Sequence, residues 1–171
     1  MNSLPKLTLV LGGAASGKSG YAEGLIEASG LQKVYIATAQ VFDAEMEAKV
    51  ARHRAMRGDG WITVEEHLHV SAVLSQVKHG QAVLLDCATL WLTNVMLADH
   101  DIAEASTELA HGLALCPGPV VIVSNEVGQG IVPDNPLARR FRNAQGALNQ
   151  AIAAQADSVV AVMAGLPLVL K

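Results

Sequence analysis

The sequence predicts an α/β fold, a mostly parallel sheet with helices on both faces, and three observations predict it. Short, wholly apolar runs alternate with helical stretches along the chain. A glycine-rich turn joins the first run to the first helix. No linker, repeat or low-complexity segment interrupts the alternation. A strand buried on both faces reads as a continuous apolar run, which is how parallel sheets look in sequence. Residues 1–171 are expected to form one domain, long enough to bury a proper core.

Each element follows in order. Residues 7–11 form a short apolar run ending in glycines, the first buried strand. A helix should run from 18 to about 29, with Gly30 as its C-terminal stop. Residues 34–37 are the second strand. Residues 44–56 read as a helix, with Asp43 as its N-cap and Gly58 after its end. Residues 61–64 form a short strand, 70–78 a helix, and 82–85 a buried strand ending at Asp86. Residues 102–115 are helical and 120–123 are the next strand. A polar loop rich in Gly and Pro then runs from 125 to 136, and loops of that length in a compact domain are usually functional. A long helix over 137–155 and strands over 159–163 and 166–170 complete the chain. Ala164 and Gly165 between the last two strands allow an antiparallel hairpin. Ligands of such sheets bind at the carboxyl ends of the strands.

Composition narrows the function. Hydrophobic residues make up 51% and charged residues 16%, which excludes disorder. Aromatics are only 4%, so Ala, Val and Leu must fill the core. A net charge of -4 argues against a general nucleic-acid binder, which needs a basic face to displace counterions. Cys87 and Cys116 lie far apart with no metal or redox spacing, and they read as core residues of a cytoplasmic protein. The apolar run near the N-terminus is too short for an export signal, and no run is long enough to span a membrane.

Gly12-Gly13-Ala14-Ala15-Ser16-Gly17-Lys18-Ser19 matches the phosphate-loop pattern G-x-x-x-x-G-K-[ST] in full. Small residues let the backbone curl until successive N–H groups point at phosphate oxygens. The following helix adds its positive dipole end. Lys18 is placed to reach the β- and γ-phosphates, and Ser19 to offer its hydroxyl to Mg²⁺. The predicted fold class is therefore that of a P-loop NTPase of the RecA-like kind. Asp86 sits where a second metal-holding acid belongs, although an acid there also suits a turn into the next helix. Glu126, after the strand at 120–123, is the rival metal- or water-positioning acid.

Lys49, His53 and Arg57 lie at i, i+4 and i+8 on one helix face, flanked by Arg52 and Arg54. The same helix opens with Asp43, Glu45 and Glu47, so acids first and bases last would simply complement the helix dipole. The chemical alternative makes His53 a nucleophile: a neutral imidazole attacks an α-phosphorus and expels pyrophosphate. Neighbouring cations would keep that imidazole neutral. His67 and His69 alternate near a strand end without an evident third ligand and read as surface or interface residues. His79, His100 and His111 sit in polar turns or helix faces without a partner.

Together these motifs carry a resemblance. The matching segments are Gly12–Ser19, then Ile36-Ala37-Thr38-Ala39-Gln40, then 43–57 with Glu45-Met46 and Arg52-His53-Arg54. They continue through Leu84-Leu85-Asp86, Leu92-Thr93-Asn94, Ser124-Asn125-Glu126-Val127-Gly128-Gln129-Gly130-Ile131-Val132-Pro133 and Ala138-Arg139-Arg140-Phe141-Arg142. Nearly the whole chain thus resembles the bifunctional adenosylcobinamide kinase/adenosylcobinamide-phosphate guanylyltransferases of cobalamin biosynthesis. The resemblance implies two reactions. The γ-phosphate of ATP or GTP passes to the arm hydroxyl of adenosylcobinamide. GTP then guanylylates a histidine, His53 here, and GMP passes on to adenosylcobinamide phosphate. The resemblance also implies nucleotide contacts from Ala37, Thr38, Ala39, Arg54, Ala55, Met56, Arg57, Glu65 and Asp86, and a homo-oligomer, with a trimer favoured. Two positions depart from the family pattern: Ala15 stands where an arginine is common, and Gly58 follows Arg57 where a proline is common.

Two other readings use the same motifs. An ordinary small-molecule P-loop kinase would leave His53 a bystander. A GTP-dependent switch would read guanine with Asn-Lys-x-Asp after a late strand, and Ser124-Asn125-Glu126-Val127 is not that element.

Overall fold

The computed structural model describes residues 4–40, 51 and 58–171. Its strands are β1 (Leu7–Gly12), β2 (Gln32–Ala37), β3 (Trp61–Glu65), β4 (Gln81–Asp86), β5 (Val120–Asn125), β6 (Ser158–Met163) and β7 (Leu166–Val169). They form one sheet in the order β3-β2-β4-β5-β1-β6-β7. Neighbours pair in parallel except β6 and β7, which close the sheet as the antiparallel hairpin that Ala164 and Gly165 allow. The described helices are α1 (Lys18–Ala28), α2 (Val70–Leu74), α3 (Ala88–Leu97), α4 (Ile102–Leu115) and α5 (Pro136–Gln155).

Strand alternation splits the core into two layers. Leu9, Ile36, Leu85 and Ile122 face Trp91, Leu92, Leu109, Leu113, Leu148 and Ile152 of α3, α4 and α5. On the other face Val10, Leu84, Val121 and Val160 pack with Ala22 and Ile26 of α1. β1 lies between β5 and β6. The chain leaves β1 through α1 toward one half of the sheet and later returns through α5 to the other. The sheet therefore reverses direction at β1, and the phosphate loop sits at its carboxyl end.

Two elements differ from expectation. The helix expected over 70–78 stops at Leu74. Beyond it Val77 turns inward to 6% exposure, and Lys78 N–H donates to Gln81 Oε1 at 2.8 Å, so a tight turn replaces the last helical residues. Helix α3 was not anticipated at all. Six of its ten residues are buried, so it shows no polar face to mark a helical period. The helix expected over 44–56, with its cap Asp43, lies outside the described residues, although Ala51 is helical. Lys49, Arg52, His53, Arg54, Ala55, Met56 and Arg57 lie outside them too.

Candidate nucleotide and phosphoryl-transfer site

The carboxyl ends of β1, β5 and β4 stand side by side, and residues of each meet there. Helix α1 starts at Lys18 with Gly17 as N-cap, φ 92°, and no side chain caps its first N–H groups. Those donors are left for an anion. Lys18 Nζ donates to Gly13 O at 2.9 Å, so the lysine lies back over the loop that it would share with a phosphate. Ala15 also takes positive φ, 54°, a conformation that an alanine pays for in strain.

The loop is walled by the far end of the chain. Gly165 N–H donates to Ser16 O at 2.8 Å. A Cβ at Gly12 would meet the Ser16 side chain and would lie 2.7 Å from Val162 O, so only glycine fits. Gly12→Ala is therefore expected to cost about 1–3 kcal/mol of stability and to weaken nucleotide binding with it. Gly13→Ala, with nothing within 4 Å of its added methyl, is the matched control. Urea unfolding and nucleotide titration of both variants check this. Equal stability of the two would show that the wall yields.

Asp86 ends β4, in register with Val123 of β5, which is itself in register with Val10 of β1. One strand thus separates the acid from the strand that carries the phosphate loop. The carboxylate is half-buried, and its Oδ2 accepts from the phenol of Tyr35 at 2.8 Å. A carboxylate offers about four lone-pair sites, so one phenol leaves room for a cation or its water. Buried Cys87 registers both neighbours. Burial pushes its thiol up to about 11, the charge of Asp86 adds to the rise, and Lys18 opposes it. Cys87 and Cys116 are free, buried thiols, as the sequence suggests.

Thr38 is wholly buried and spends every polar group inside the protein. Its N–H donates to Asp86 O, its hydroxyl bonds the backbone O and N of Cys87 at 2.8 Å each, and its carbonyl accepts from Asn94 Nδ2 at 2.8 Å. Its effect is to tie the ends of β2 and β4 together and to set Ala37 and Ala39, both half-buried, at the rim. Glu65 ends β3 in register with Ala37 and is exposed. The adjacent Glu66 closes the next turn by accepting from Leu68 and His69 N–H at 2.8 Å. Burial works to raise its carboxyl, but those two bonds and the histidines leave it lowered. His67 is half-buried with Nδ1 3.3 Å from Thr38 O, whereas His69 is exposed.

Sequence reasoning missed what lies under β5. Ser124, Gln145 and Asn149 form a buried triangle with contacts of 2.6 to 2.9 Å, and Asn149 Nδ2 also donates to Asn125 O at 3.1 Å. Thr89 Oγ1 accepts from Asn125 N–H at 2.8 Å. This network fixes the root of the 126–135 loop. Glu126 N–H donates to Gly12 O at 3.1 Å, and its carboxylate turns back onto Gly128 N–H at 2.6 Å. That carboxylate shapes the loop, whereas the Asp86 carboxylate stands at the carboxyl end of β4, one strand away from β1.

Among the described residues no helix is long and apolar enough to cross a membrane. A solved structure of the RadB recombinase overlays 93% of this chain and 75% of its own at a TM-score of 0.52 and 19% identity, a likeness of fold. The bifunctional adenosylcobalamin biosynthesis protein CobP of Pseudomonas aeruginosa is 46% identical over 95% of this chain and 96% of its own length. CobU of Escherichia coli, which carries the same description, is 40% identical over 96% of this chain and 99% of its own. A family model described as cobinamide kinase / cobinamide phosphate guanyltransferase matches residues 8–170. A phosphate loop walled by its own C-terminal hairpin and this match over almost every residue lead to one assignment: the chain belongs to the CobU family of cobinamide kinase / cobinamide phosphate guanyltransferase enzymes.

Proposed function

We propose that this chain phosphorylates adenosylcobinamide with ATP or GTP and then transfers GMP from GTP to the product by way of His53. The observation that carries this reading is an uncapped helix start at Lys18 and Ser19, directly after β1 and one strand away from the strand that ends in Asp86, on a chain of this family. In the first step the arm hydroxyl attacks the γ-phosphorus, the bond to the β-phosphate oxygen breaks, and the nucleoside diphosphate leaves. The N–H groups of residues 13–19 and the Lys18 ammonium hold the phosphates and offset the charge that moves to the leaving oxygen. Ser19 and Asp86 are hard oxygen donors of the kind that would hold Mg²⁺. When bound, Mg²⁺ neutralises phosphate charge. Ala37 and Ala39 line the rim, Thr38 holds them there, and Glu65 and residues 54–57 serve as further nucleotide contacts.

In the second step a ring nitrogen of His53 attacks the α-phosphorus of GTP, and pyrophosphate departs. A phosphate oxygen of the cobinamide phosphate then attacks the same phosphorus. The N–P bond breaks, the histidine is restored, and adenosyl-GDP-cobinamide forms. We further infer a homo-oligomer. β7 is an edge strand with all four residues exposed, and Met163, Leu166, Leu168, Val169 and Leu170 form an apolar surface that suits a second copy.

The test is incubation with Mg²⁺ and GTP labelled at either the α- or the γ-phosphorus. Acid-labile, alkali-stable label on the protein from the α-position alone is the expected result. A protein that turns over cobinamide and GTP yet never takes up α-label would be a plain small-molecule kinase.

A further inference from the structure

The loop over residues 126–135 leaves the sheet from β5, the strand between the phosphate loop on β1 and Asp86 on β4. It therefore rises beside the place where the phosphoryl group moves. Its backbone is held from within. Arg142 donates to Gly128 O at 2.6 Å, and Arg139 donates to Pro133 O at 2.8 Å and to Asp134 O at 2.6 Å. Asn135 caps α5 by accepting from Leu137 N–H at 2.8 Å.

With its polar backbone satisfied inward, the loop turns its large apolar side chains outward. Ile131 is 96% exposed and Val132 63%, and beside the loop Leu137 in the first turn of α5 is 57% exposed. Between Gly128 and Gly130 stands the exposed carboxamide of Gln129. A braced loop that presents aliphatic groups and one amide next to a reaction centre is a prepared binding surface, because little ordering remains to oppose binding.

We propose that Ile131, Val132 and Leu137, with Gln129, seat the corrinoid macrocycle of the acceptor substrate. The inference rests on the function proposed above. That acceptor is a broad ring with aliphatic edges and a rim of amide side chains, and only its hydroxyl arm needs to enter the phosphate site. The ring must then rest on the rim, within an arm's length of the γ-phosphate. Aliphatic side chains match its methyl-bearing edge, and a carboxamide matches its amides in both donor and acceptor. A second copy of this chain is the competing occupant. The exposed β7 strand offers such a copy a longer, regular edge.

The experiment is the kinase reaction of Ile131→Ser, Val132→Ser and their double variant, with Ile131→Leu as the conservative control. The KM for cobinamide should rise about tenfold or more in the double variant, a size expected when aliphatic contacts are lost from a pocket. The KM for nucleotide and the kcat at saturating cobinamide should stay within about twofold, and Ile131→Leu should behave as wild type. Unchanged cobinamide KM overturns the proposal. So does a lower oligomeric mass by light scattering with no selective change in that KM, which would make the surface a contact between copies. A wild-type protein that binds nucleotide but phosphorylates no cobinamide overturns the function itself, and this inference with it.

Discussion

Replacing Lys18 with alanine is expected to lower kcat/KM for phosphoryl transfer about a thousandfold while the protein still folds. The size follows from the lysine's place. It is the first residue of α1, at the end of the helix where uncapped N–H groups gather, and it lies over the loop by its bond to Gly13 O. A fixed positive charge there acts where negative charge accumulates as the γ-phosphoryl group departs, and water cannot replace it in a closed loop. The stability change should stay within about 1 kcal/mol, because the side chain is half-buried and its bond to Gly13 O is local. Lys18→Arg should rescue little, since a planar fork does not fit where a compact ammonium sits. Steady-state kinetics with thermal unfolding check all three statements. An alanine variant within tenfold of wild type would remove Lys18 from the mechanism.

His53→Ala is expected to abolish guanylyl transfer below detection and to leave the kinase step within about tenfold of wild type. The two reactions differ in their need for a nucleophile. Phosphorylation of cobinamide uses the substrate's own hydroxyl, whereas a covalent guanylyl intermediate needs an enzyme nitrogen. Separate assays for phosphorylated and guanylylated cobinamide, run on the variant with label at either phosphorus, resolve the effects. Retained guanylyl transfer would return His53 to the dipole-complementing role that Lys49, Arg52 and Arg54 share with it. Loss of both steps in a folded variant would place the histidine in nucleotide binding instead of covalent chemistry.

The sheet was legible because each parallel strand is a contiguous apolar run bounded by turn residues, and the phosphate loop because its eight residues are consecutive. The hairpin of β6 and β7 was legible for the same reason. Contacts between distant residues were not. The Tyr35 phenol on Asp86 joins positions 51 residues apart, and the triangle of Ser124, Gln145 and Asn149 joins a strand to a helix with a long loop between. Each of those residues alone reads as an ordinary polar side chain. Helix α3 escaped because burial on nearly all sides removes the polar face that marks a helix. Thr38 shows a subtler gap. Resemblance marks its neighbourhood, and only the hydrogen bonds show that it is also a buttress between β2 and β4.

The seam between the phosphate loop and the closing hairpin also governs when the protein can work during its own synthesis. β1 is made well before its partners, which begin at Val120 and Ser158, and the loop's wall at Val162 and Gly165 comes later still. During synthesis β1 therefore waits as an unpaired apolar strand at least until β5 is made. Such long-range closure folds slowly and exposes sticky intermediates. The wall of the nucleotide site is complete only once β6 and the turn at Gly165 have been made.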